Sequence, residues 1–156
     1  MMTLAKEQLA LRPSKYETRY AVESEREKIA DLYIKNLWHI AHIPPDLLTV
    51  IRSVYQAVHQ GRVILIERSG EIAGCTSFVE GSYWYTPRKM LFDTGFFIVP
   101  EFRKTRAASL LLNALKREAK DRNALLVMGA GTKDASVAPI MAKRYQQIGA
   151  AFVVTD

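Results

Sequence analysis

The chain has 156 residues, 49% of them hydrophobic and 24% charged, with a formal net charge of +6. That length suits one soluble domain able to bury a core, and no apolar run approaches the roughly 20 residues of a membrane span. Cys75 is the only cysteine, which excludes an internal disulfide and a cysteine-based zinc site.

Residues 1–14 read as an N-terminal extension ahead of one domain spanning 15–156. Lys6, Glu7 and Arg12 interrupt its apolar residues, so it lacks the stretch of a secretory signal and a cytoplasmic location is expected. Lys15 to Val22 reads as a first strand. Ser24 offers an N-cap followed by Glu25 and Glu27, where carboxylates favour the positive end of a helix. Ile29, Leu32, Tyr33, Leu37 and Ile40 follow at helical spacing. Pro44-Pro45 breaks that helix. A second helix begins at about Asp46, places Leu47, Leu48, Ile51, Val54, Tyr55 and Val58 on one face, and stops at Gly61.

The periodicity then changes. Val63 to Glu67 is a strand-sized apolar run, Ser69-Gly70 a turn, and Ile72 to Val79 the returning strand. Cys75 in that strand reads as a small core residue rather than a nucleophile. Gly81 to Lys89 is a loop carrying Tyr83, Trp84 and Tyr85. Met90 to Val99 is apolar on both faces apart from Asp93 and Thr94, as a central strand requires, and Pro100 ends it. Ala107, Leu110, Leu111, Ala114, Leu115 and Ala119 mark an amphipathic helix. Ala124 to Met128 reads as another buried strand and Gly129-Ala130-Gly131 as a loop. Asp134 or Ser136 caps a helix bearing Val137, Ile140, Met141, Tyr145 and Ile148, and Ala151 to Val154 is a last strand. The order describes a mixed α/β layout around one sheet.

The turn from Val99 to Ala108 is the most informative segment. A long strand runs through Arg103, Lys104 and Arg106 straight into a helix. The first four N–H groups of a helix lack internal partners, point outward and are backed by the helix dipole, so a phosphate placed there meets several donors at once. Small Ala107 and Ala108 let a ligand approach the backbone.

Ile98-Val99-Pro100-Glu101-Phe102-Arg103-Lys104-Thr105-Arg106-Ala107-Ala108 resembles the cofactor motif of the GCN5-related N-acetyltransferase (GNAT) family. That motif reads Gln or Arg, two residues, Gly, one residue, Gly or Ala. Arg103 and Ala108 match its ends, and Arg106 stands where the first glycine is expected. Arg144-Tyr145-Gln146-Gln147-Ile148-Gly149-Ala150 resembles the family's Phe-Tyr-x-x-x-Gly-Phe segment, and the order of elements agrees from about Lys15 to Val154. The Arg-Ala-Ala form of the loop is similar to variants from tailed-phage genomes, so the expected setting is the cytoplasm of a bacterium or a phage-infected host cell. Arg106 costs the close approach that glycine permits, although its planar fork suits a phosphate. No asparagine follows Met128, where the family often places one.

The resemblance implies a mixed, mostly antiparallel central sheet flanked by about four helices. It implies acetyl-CoA as co-substrate and direct attack of an amine on the thioester. The cofactor would be held by Phe97, Ile98, Val99, Arg103, Lys104, Thr105, Arg106, Ala107 and Ala108, with backbone N–H groups around Phe97 to Val99 meeting the carbonyl. Tyr145 is the candidate general acid, being protonated at neutral pH and placed where the family's tyrosine faces the departing sulfur; its position on an apolar stripe equally fits a core residue. Asp93 is the candidate base, a carboxylate whose partial burial raises its pKa; a polar residue paired with a nearby arginine or backbone is the alternative. Glu80 and Glu101 are weaker candidates. Tyr83, Trp84, Tyr85 and His39, with His42, are expected to line an acceptor pocket, with at least one of the three loop aromatics expected instead to pack against its own domain. Three histidines without supporting carboxylates make no metal site, so no metal is expected.

A second reading is a catalytically inactive member of the same fold that binds nucleic acid or protein. Its grounds are Arg106, the absent asparagine and the positive charge, which attracts polyanions in general. The apolar last strand, with no partner after it, points to a homodimer unless residues 1–14 cover it.

Overall fold

The computed structural model describes residues 15–41, 43–129, 141 and 143–148, without the side chains of 39 and 40. The extension, His42, most of the expected last helix and the expected last strand lie outside the described residues. Five strands form one sheet in chain order: β1 (Tyr16–Tyr20), β2 (Val63–Arg68), β3 (Glu71–Gly81), β4 (Met90–Ile98) and β5 (Leu125–Val127). The first four are antiparallel neighbours, and β5 runs parallel to β4. The described residues hold three longer helices, α1 (Arg26–Ile40), α2 (Leu47–His59) and α3 (Ala107–Asp121). Met141, Lys143 and Arg144 are also helical, inside the expected fourth.

Alternation along the strands sorts the core into two layers. Ile64, Ile66, Phe78, Leu91 and Ile98 pack against Ala107, Leu111 and Leu115 of α3. Val63, Leu65, Cys75 and Phe97 pack against Ile29 and Tyr33 of α1 and Val54 and Val58 of α2. The sheet therefore separates a face covered by α3 from a face covered by α1 and α2. Cys75 is fully buried, and burial pushes its thiol up to about 12.

Local chemistry explains most boundaries. Ser69 and Gly70, with φ of 53° and 77°, form the two-residue turn between β2 and β3, both left-handed as a tight hairpin prefers. Asp46 caps α2, its carboxylate accepting the Thr49 N–H at 2.9 Å. Gly61, at φ 66°, ends the segment. The start of α1 differs from the sequence expectation. Ser24 does not cap it; Glu23–Glu25 forms a 3-10 turn, and the Glu25 carboxylate accepts the Val22 N–H at 2.9 Å. Arg19 of β1 reaches the same carboxylate at 2.5 and 2.9 Å and Glu67 of β2 at 2.7 Å. That guanidinium holds the Glu25 carboxyl down at about 2; the carboxylate ties back the Val22 N–H at the head of the 3-10 turn, and among the described residues no side chain caps α1 itself. β5 also departs from expectation. It is partly exposed, Leu125 to 47%, because only three of its residues pair with β4.

β4 positions everything that follows. It pairs with β3 along its whole length but with β5 only from Met90 to Phe92. Ser77 lies opposite Gly95 and Phe78 opposite Asp93, which makes Thr94 an extra residue. Such a bulge bends its strand and ends regular pairing. Beyond it β4 and β5 part, and the sheet forks.

Candidate active site

The fork leaves backbone groups of β4 without a strand partner. The Val99 N–H donates to Ala73 O at 2.9 Å. Alternation of the antiparallel ladder then turns the amides of Phe97 and Val99 toward β3 and those of Phe96 and Ile98 toward the side that β5 has left.

The loop after β4 is built as a rigid cradle. Pro100–Phe102 makes a 3-10 turn, and buried Phe102 anchors it in the core. Arg103 Nε donates to Ile98 O at 3.1 Å and its terminal nitrogen to Asn36 Oδ1 at 3.4 Å, tying the loop to β4 and α1. Thr105 Oγ1 accepts from Tyr16 of β1 at 2.8 Å and from the Ala107 N–H at 3.2 Å, and donates to Phe102 O at 2.7 Å. The amides of Lys104, Arg106, Ala108 and Ser109 donate to no other described residue. They surround the start of α3, where the dipole is positive, and the side chains of Lys104 and Arg106 are exposed beside them. Arg106 is in the ordinary helical region, φ −71° and ψ −5°, so this position needs no glycine conformation. Ala107 is small because it packs into the core.

Asp93 stands where the strands part. Its Oδ1 accepts the Gly129 N–H, just beyond β5, at 2.7 Å. Burial raises its carboxyl above the ordinary value, and the Gly129 N–H offsets part of that rise. Glu80 is held below the ordinary range by Arg122, with Lys89 at 3.8 Å. A carboxylate so paired is a poor proton acceptor, and Glu101 is exposed at the loop surface.

Tyr145 lies on α3 rather than in the core. Its side chain is 38% exposed, its hydroxyl accepts from Lys116 Nζ at 2.8 Å, and that ammonium sits 5.0 Å from the ring centroid. Ile148, from the same expected stripe, is 60% exposed. Because Lys116 donates to the oxygen, the phenol proton remains free for another partner.

The aromatic loop and the end of α1 lie toward opposite ends of β4. Tyr83 stacks on Tyr85 at 5.5 Å and meets Phe92 edge-on at 5.6 Å, while Trp84 is 95% exposed. Asn36, three residues before His39, instead reaches Arg103 beyond Ile98. Six residues of strand, about 20 Å, separate Phe92 from Ile98. The side chain of His39 lies outside the described residues.

Sequence reasoning did not find the hydroxyl chain behind the bulge. Buried Tyr33 donates to Ser77 Oγ, and Ser77 Oγ lies 2.7 Å from Thr94 Oγ1. Its only outward signal was the polar pair Asp93-Thr94 in an apolar strand. No group of three histidine, cysteine, aspartate or glutamate residues among the described residues is arranged for a metal ion.

A sheet that forks beside a basic helix start, where the amides of Lys104, Arg106, Ala108 and Ser109 donate to no other described residue, is an α/β arrangement suited to an anionic ligand at that helix end. Residues 21–138 match the acetyltransferase (GNAT) family, and the chain belongs to it. Enzymes of this family use acetyl-CoA as co-substrate. No curated protein matches the chain by sequence. Among solved structures, the aminoglycoside N-acetyltransferase AAC(6')-Iy in complex with CoA is 15% identical with a TM-score of 0.74, over 94% of this chain and 97% of that one. The same enzyme with a CoA-linked bisubstrate analogue is 16% identical with a TM-score of 0.72, over 92% and 99%. A predicted acetyltransferase of Clostridium acetobutylicum with acetyl-CoA is 18% identical with a TM-score of 0.69, over 91% and 96%. At these identities the likeness is one of fold.

Proposed function

We propose that the chain is an N-acetyltransferase that moves an acetyl group from acetyl-CoA to a small-molecule amine by direct attack. The observation that carries this reading is the set of amides at Lys104, Arg106, Ala108 and Ser109 that have no partner among the described residues, set beside a fork whose open edge presents Phe96 and Ile98. The amides at the start of α3 suit a pyrophosphate, Lys104 and Arg106 supply charge, and the fork admits a narrow arm. Arg103 is occupied with Ile98 and Asn36, so its part is to hold the loop in shape. The bisubstrate complex of AAC(6')-Iy, in which CoA is joined to an amine-bearing acceptor, supports a mechanism in which both substrates meet in one site.

Bound acetyl-CoA supplies an activated thioester. The Ile98 N–H, facing the fork, donates to the carbonyl oxygen and stabilises the negative charge that develops there. Asp93, with its raised pKa, accepts the proton that the amine loses as its nitrogen bonds to the carbonyl carbon. As the carbon–sulfur bond breaks, Tyr145 gives its free proton to the sulfur, and the Lys116 ammonium at 2.8 Å stabilises the phenolate left behind.

Thermal denaturation with acetyl-CoA tests this reading. Ligand at about 100 times its Kd adds about 2.7 kcal/mol, a rise in Tm of about 5–10 °C for a domain of this size. No rise at millimolar acetyl-CoA, at either low or physiological salt, removes the enzyme reading and leaves the binding-protein alternative.

A further inference from the structure

We infer that Thr94 is the hydroxyl on which the acceptor docks, on the α1–α2 face of β4, and that the acceptor is a singly charged primary amine on an aromatic or apolar body. The inference rests on the acetyltransferase reading and gives that site its acceptor side.

The hydrogen bonds fix what Thr94 offers. Tyr33 is 5% exposed and donates its proton to Ser77. A buried phenol must place that proton on an acceptor, and Ser77 Oγ is the acceptor it has among the described residues. Ser77 Oγ in turn shares a hydrogen bond with Thr94 Oγ1, 2.7 Å away, in which either hydroxyl can be the donor. Thr94 is exposed, and whichever hydroxyl donates, its oxygen keeps at least one lone pair. The free lone pair suits an incoming N–H, so the amine is held without blocking the nitrogen lone pair that attacks. Thr94 is the bulged residue and adjoins Asp93, so an amine on it lies beside the fork.

The rings beside Thr94 define the class of acceptor. On this face the Tyr33 ring lies over Gly95, close enough that a Cβ there would meet it at 2.6 Å. On the other side of Thr94, Phe92 packs edge-on with Tyr83 at 5.6 Å, and Tyr85 stacks behind. Aromatic rings accept a flat or apolar body and tolerate one cation at their faces. Asp93, the adjacent carboxylate, is turned to Gly129. A polycation gains little from hydroxyls and rings, and it is repelled by a chain of net charge +6. Thr94 is thus a binding residue, with Ser77 and Tyr33 as positioning residues behind it.

Steady-state kinetics with tyramine as the probe amine, followed by CoA release and by mass spectrometry of the product, tests the inference. Thr94→Val keeps the shape and removes the hydroxyl; the KM for tyramine should rise about tenfold or more while that for acetyl-CoA stays within about twofold. Thr94→Ser should restore most of the loss. Tyr33→Phe, which keeps the ring over Gly95, should raise the same KM by a smaller factor. An unchanged tyramine KM in Thr94→Val, an equal rise for acetyl-CoA, or failure of Thr94→Ser to restore it overturns the role of Thr94. Wild-type protein that acetylates spermidine with higher kcat/KM than tyramine overturns the acceptor class. So does wild-type protein that is stabilised by acetyl-CoA yet leaves tyramine unmodified. Absence of that stabilisation strikes the underlying acetyltransferase reading instead.

Discussion

Replacing Gly95 by alanine puts a methyl group where Tyr33 rests on β4. The new Cβ falls 2.6 Å from Tyr33 Cε1, 3.0 Å from Tyr33 Cζ and 2.9 Å from Phe97 Cε2. Those rings are 5% and 8% exposed and meet edge to face at 4.8 Å, so neither has open space to swing into. Overpacking of this kind costs about 1–3 kcal/mol, which for a chain of this length lowers Tm by about 2–12 °C. A control separates this clash from a general dislike of alanine at the bulge. In a Tyr33→Ala background the ring is gone, and Gly95→Ala should cost at least about 1 kcal/mol less than in wild type, a coupling that a double-mutant cycle reads directly. Thermal denaturation followed by circular dichroism supplies all four values. No fall in Tm for the single variant, or the same fall with and without Tyr33, refutes the reasoning that glycine is present to seat that ring.

Asp93→Asn keeps an acceptor for the Gly129 N–H but cannot take a proton, so turnover should fall by about 10²-fold or more. Because burial raises the Asp93 pKa in the folded state, its contribution to stability is present at low pH and is lost as pH rises through the folded value. Tm of the variant relative to wild type should therefore improve as pH rises from acid to neutral, and a variant that loses stability at neutral pH contradicts this. Tyr145→Phe removes an exposed hydroxyl bonded to Lys116, so Tm should move by no more than about 2 °C while turnover falls about 10²-fold; unchanged turnover with tyramine excludes Tyr145 as the acid.

The parts of the fold that were legible in the sequence are those decided by local chemistry. Asp46, Gly61, Ser69-Gly70 and Pro100 mark boundaries because each acts within three residues of itself. Met90 to Val99 was readable as central because a strand between two neighbours is apolar on both faces. What was illegible depends on partners far along the chain. The tie between Glu25 and the Val22 N–H is held by Arg19 on another element. The bulge at Thr94 exists only relative to β3, since an extra residue has meaning only against a partner strand. The half-exposure of β5 follows from where β4 bends away. The same limit applies to the site. The basic turn and its family likeness pointed to the cradle, but Tyr33 read as one more residue of an apolar helix stripe. Its bond to Ser77, 44 residues away, is what gives it a role at β4.

The fate of Cys75 bears on the conditions in which such a chain works. Each acetyl transfer from acetyl-CoA liberates a thiol. Thiol–disulfide exchange needs an accessible thiolate on the protein. The one sulfhydryl in this sequence is sealed between the sheet and its helices and held at about 12. The protein is therefore protected from being capped by its own leaving group, and a colorimetric thiol reagent added to the folded chain reads released coenzyme A without a background from the enzyme.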